Sequence, residues 1–121
     1  MIVTKEILKS GDAGVTQTMQ LMRFYVLEYA NNTQIKQIVN KLSVSGTCNA
    51  KMKTIKNIFN YVVDTIKYTP DPNNIELVKS AKHTILGNMK YGDCDDLSVA
   101  LATLYKAISL IVVGIYAIVP N

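Results

Sequence analysis

Apolar positions recur along this chain at spacings of three and four, which is the signature of helices with one buried face. Val15, Met19, Met22, Val26 and Tyr29 share one such face, beginning just after Gly14. Asn31 and Asn32 interrupt the pattern, and Ile35, Ile38 and Leu42 resume it up to the break at SVSG, so this region is two helices or one bent helix. Met52, Ile55, Phe59, Val62 and Ile66 form a clearer stripe, with Lys51, Lys53, Lys56 and Asn60 on the polar side. TPDPNN, with two prolines, ends that helix. A short helix is expected over 74–86, closed by Gly87. A last major helix starts at Cys94 and carries Cys94, Leu97, Leu101, Leu104 and Ile108 on one face. The tail SLIVVGIYAIVPN is β-branched and free of charge, so 110–118 reads as a buried strand.

These elements predict an α+β, mainly helical fold: an N-terminal arm over 1–13 and a single domain over 14–121, whose helices pack on a central Cys-headed helix followed by a C-terminal strand. A competing reading joins Leu97 to Val119 into one membrane span. Lys106, the only charge in that stretch, would then sit near its middle, where a charge is costly. A chain of 121 residues supports one domain with a modest core.

Hydrophobic residues make up 49% of the chain and charged residues 18%, which excludes a disordered protein. The net charge of +4 is unevenly spread. Beyond residue 90 a single lysine stands against Asp93, Asp95 and Asp96. The basic residues are mostly isolated lysines at helical spacing, with one arginine, a pattern that suits a solvated surface and predicts no specific nucleic acid. The first residues lack the apolar run of a signal peptide, so a reducing compartment is expected, with no disulfide between Cys48 and Cys94. Cys48, in the loop SVSGTCNAK, reads as a thiol without a role.

The chemistry concentrates in KYGDCDDLSVALATLYKAI, residues 90–108. Gly92 allows a close backbone approach. At a helix N-terminus the macrodipole and the free amides favour a thiolate and an oxyanion, as a nucleophilic Cys94 needs. Asp93, Asp95 and Asp96 oppose a thiolate and serve to cap the helix. From the residues alone, an inward-pointing structural Cys94 is at least as well supported as a nucleophile. His83, the only histidine, precedes the cysteine on a short expected helix and reads as a surface or hinge residue, with a weak claim as a base. No metal-ligand spacing and no cofactor motif is present, so no metal and no cofactor is expected.

GDCDD followed by small and apolar residues resembles the central motif of the transglutaminase-like (papain-like cysteine hydrolase) superfamily, in particular its bacterial and phage-encoded members. The preceding NIFNYVVDTIKYTPDPNNIELVKSAKHTIL and the earlier VTQTMQLM resemble the stretches that lead up to that motif, so the likeness covers about residues 14 to 119. It implies that Cys94 matches the nucleophile of a Cys-His-Asp arrangement acting on an amide or ester carbonyl. The family's histidine and aspartate lie on strands after the motif, whereas this sequence reaches Asn121 after one expected strand, and AISL replaces the usual Ala-x-Gly-Ile turn. The resemblance therefore implies a phage-encoded protein of this fold that is not independently catalytic. Its alternatives are the N-terminal part of an active peptidase or amidase acting on peptide, isopeptide or cell-wall amides, and a structural component of a phage particle. The expected partner is another protein chain or a second copy, joined through the C-terminal strand. The expected location is the cytoplasm of a bacterial host or the virion.

Overall fold

The computed structural model describes residues 4–5, 11–46, 49–70 and 77–108. The expected strand over 110–118 and Cys48 lie outside these residues. Nine elements follow in chain order: β1 (Thr4–Lys5), α1 (Gly11–Tyr29), α2 (Thr33–Leu42), α3 (Ala50–Thr65), β2 (Lys67–Tyr68), β3 (Leu77–Val78), α4 (Ala81–Thr84), β4 (Tyr91–Gly92) and α5 (Cys94–Ala107). The mainly helical architecture agrees with the reading of the sequence. The strands among the described residues are short and form two ladders: β1 antiparallel to β3, and β2 parallel to β4.

Local chemistry sets the helix boundaries. Asn32 separates α1 from α2, and its side chain accepts hydrogen bonds from the Gln34 and Ile35 amides at 2.9 and 3.1 Å. That cap explains why the Asn31-Asn32 interruption yields two helices. α1 begins at Gly11, ahead of the start expected just after Gly14. Of the helix expected over 74–86, the described residues from Leu77 onward hold the single turn of α4, because Leu77 and Val78 pair with Lys5 and Thr4 instead. Its C-cap is Ile85 rather than Gly87. Gly87 still packs against that turn, where a Cβ would meet the His83 carbonyl at 2.9 Å.

α5 is the hub, in contact with α1, α2, α3 and α4. It serves two apolar clusters. Ala100 and Leu104 join Ile35 and Val39 of α2, Ile58 and Val62 of α3, and Ile66, Ala81 and Ile85. Val99 and Ala102 join Met19, Met22, Tyr25 and Val26 of α1, together with Val78. Small side chains on α5 let helices approach from both sides, as close packing demands.

The buried faces differ in rotation from those expected. In α3 the buried positions are Thr54, Ile58 and Val62, whereas Met52 and Phe59 are exposed. In α2 they are Ile35 and Val39, with Ile38 and Leu42 only partly covered. In α1, Met19, Met22 and Val26 are buried as expected, while Val15 is exposed and Tyr25 takes a core place. α5 buries Asp96, Val99, Ala100, Ala102, Thr103 and Leu104, and leaves Cys94 exposed. α5 stops at Ala107, and among the described residues no helix is long and apolar enough to cross a membrane.

Candidate functional site at the start of the central helix

The GDCDD motif straddles β4 and the first turn of α5, and its carboxylates have separate duties. Asp93 is the N-cap: its Oδ1 accepts from the Asp95 and Asp96 amides at 3.1 and 3.3 Å. The Asp96 Oδ2 accepts from the Asp93 amide at 3.2 Å, which completes a reciprocal capping box. Two of the helix's otherwise unsatisfied first-turn amides are thereby occupied.

Asp96 does more than cap. It is fully buried on the face of α5 that also carries Ala100 and Thr103, and a buried carboxylate requires a partner. Lys79, 1% exposed, supplies two contacts: its backbone amide donates to Oδ1 at 2.8 Å, and its Nζ donates to Oδ2 at 3.1 Å. The Nζ also stands 5.1 Å from the centroid of the Tyr91 ring, within cation–π range. A single carboxylate thus fastens the segment after β3 to the start of α5. Burial pushes the Asp96 carboxyl above the usual range, and the Lys79 amide and ammonium pull against that rise without cancelling it.

Gly92 is part of the same clasp. A Cβ there would lie 2.5 Å from both Cβ and Oδ2 of Asp96, so only glycine fits between β4 and the carboxylate. The expected close approach at Gly92 is therefore met by the motif's own aspartate. The β2–β4 ladder holds this glycine in place, with the Thr69 amide donating to the Gly92 carbonyl at 2.7 Å.

Cys94 opens α5 but does not point into the core as its apolar stripe suggested. The buried arc of α5 is set by Asp96, Val99 and Ala100, and Cys94 lies off it. Its thiol is held above its ordinary pKa, first by partial desolvation at the helix start and then by the negative charges of Asp95 and Asp93. Backbone hydrogen bonds at Asp95 and Cys94 oppose this shift and are outweighed. The first-turn amides are thus too little to make the thiol acidic beside two carboxylates.

His83 sits half-buried on α4, with its Nδ1 3.0 Å from the Oγ of buried Ser80. That contact ties the imidazole to its own turn. Among the described residues no cluster of three or more His, Cys, Asp or Glu side chains is placed to hold a metal ion.

The structure therefore gathers Gly92, Asp93 and Asp96 around Lys79 and Tyr91, and sets Cys94 on the surface beside Asp95. Lys79 is the residue that sequence reasoning missed. Its signal was indirect: an aspartate in phase with Ala100 and Thr103 on a buried helix face needs a cation from elsewhere in the chain. No protein-family model, curated protein or solved structure matches this chain.

Proposed function

We propose that this chain is a transglutaminase-like protein, of the phage-encoded kind, in which the Cys94 helix organises the fold and the thiol is not an independent nucleophile. On this reading it works as a structural or interaction protein. One observation carries the proposal: the carboxylates of the motif are committed to the helix start, where Asp93 and Asp96 form the cap and clasp, and no acidic thiol is prepared there, since desolvation and then the charges of Asp95 and Asp93 raise the Cys94 pKa. A hydrolase using Cys94 needs the reverse, a thiolate at neutral pH that attacks the carbonyl carbon.

The exposure of Cys94 favours a second reading. An accessible sulfur at a helix start is where an active peptidase or amidase keeps its nucleophile. There, an additional base would take the thiol proton, the sulfur would bond to the amide carbon, and the amine would leave with a proton.

Alkylation by iodoacetamide against pH separates the two readings. With Cys48→Ser leaving Cys94 as the remaining thiol, the rate should rise with a midpoint at or above the free-cysteine value of about 8.5. A midpoint well below neutrality, with labelling abolished by Cys94→Ser, would overturn the structural reading and restore the hydrolase.

A further inference from the structure

α3 carries more apolar surface than its core uses. Its buried line runs through Thr54, Ile58 and Val62, yet Met52, Phe59 and Val63 lie along one flank at 57%, 50% and 51% exposure. Positions 52, 59 and 63 are separated by seven and four residues, so they form one stripe. By the helical period, Lys53 stands about 100° from Met52 on the side away from the buried line, whereas Lys51 falls in line with Thr54 and Ile58 and does not belong to the flank. Lys56 follows one turn further along the same stripe. Lys53 and Lys56 are both exposed, and the acid on this helix, Asp64, lies at its far end. Just beyond the helix come exposed Lys67 and Tyr68.

We propose that this flank is a peripheral contact surface for a bilayer bearing anionic headgroups. Phe59, Met52 and Val63 enter the acyl boundary, and Lys53 and Lys56 stay at headgroup level. Charge complementarity selects an anionic surface, and the apolar stripe selects one with an apolar layer beneath it. Lysine suits this role because its aliphatic stem runs along apolar surface while the ammonium reaches the headgroups. The cations on the flank are lysines rather than the arginines that pair bidentately with nucleic-acid phosphates.

Vesicle co-sedimentation of the full chain tests this. Binding is expected to phosphatidylcholine vesicles that contain phosphatidylserine, to weaken with added salt, and to be much lower on phosphatidylcholine alone. Lys53→Gln with Lys56→Gln should lower partitioning roughly thirtyfold, since each basic residue near an anionic surface contributes about fivefold. Phe59→Gln should lower it while leaving the circular dichroism melt unchanged, because its ring is half in water already. Equal binding to both vesicle types, unchanged binding by either variant, or a salt-resistant dimer through this face would overturn the proposal. So would preferential capture of a duplex oligonucleotide that removes the protein from the vesicles.

Discussion

α5 and α3 are both amphipathic helices in the first cluster, yet they dispose of their apolar residues differently. α5 has neighbours on both sides, so Val99 and Ala102 enter one cluster while Ala100 and Leu104 enter the other. α3 meets one cluster and leaves Met52, Phe59 and Val63 in water. The two starts differ as well. α5 has a reciprocal capping box, whereas Asn49 at the head of α3 makes no side-chain cap hydrogen bond. Periodicity shows that a helix has an apolar arc. The number and position of its neighbours decide how much of that arc is buried.

The comparison breaks most readily at the clasp. Asp96→Ala strands the Lys79 ammonium in the interior and should cost about 3–5 kcal/mol in denaturant unfolding. Lys79→Met strands the carboxylate, which has an escape, since burial already favours its protonated form. A carboxyl with a raised folded pKa contributes stability that is fully present below its unfolded value, about 3.9, and is lost as pH rises through the folded value. Removing Lys79 raises the folded value further. The stability gap between Lys79→Met and the parent should therefore narrow as pH falls toward about 4. The gap for Asp96→Ala should not narrow, because that variant has no carboxyl at position 96 left to protonate.

Adjacent positions on α3 sharpen the comparison. Ile58→Ala, at a fully buried site, should cost about 2–5 kcal/mol, whereas Phe59→Ala should fall within about 0.5 kcal/mol of the parent. Equal losses at the two sites would show that the outer flank is packed in solution. The smallest contrast lies at the helix starts. Asp93→Ala should cost about 1 kcal/mol, and Asn49→Ala only a few tenths, in the same unfolding measurement.

Much of the helical layout was legible because it rests on local signals: the Asn31-Asn32 break and the carboxylates that start α5. The rotations of the buried faces were less legible. In α3 the apolar arc runs from Ile58 round to Phe59, and a stripe through Met52, Ile55 and Phe59 is as regular as one through Thr54, Ile58 and Val62. Only the packed neighbours choose between them. A threonine in the core, Thr54, also hides from any hydrophobic pattern, and here its hydroxyl is engaged by the Val44 amide at 2.9 Å. The site divides in the same way. The cap by Asp93 follows from helix chemistry alone, whereas the pairing of Asp96 with Lys79 joins residues far apart in sequence. Cys94 was turned inward by an apolar stripe whose true centre lies two positions further on.

The pairing of β1 with β3 has a consequence for the order in which the molecule assembles. Helices α2 and α3 meet as near neighbours in sequence, a contact that can form fast, whereas α1 packs mainly on the distant α5. β1 meets β3 from far along the sequence, with Thr4 opposite Val78 and α1 to α3 between them. Closing so long a loop costs entropy that few backbone hydrogen bonds return, so the ladder is favourable only once α1 has packed on Val78 and the intervening chain is already compact. The N-terminal strand is thus a late latch in folding. As a two-residue ladder it should also be among the first parts to open in native-state hydrogen exchange, while the amides of α5, the central helix, should exchange only with global unfolding.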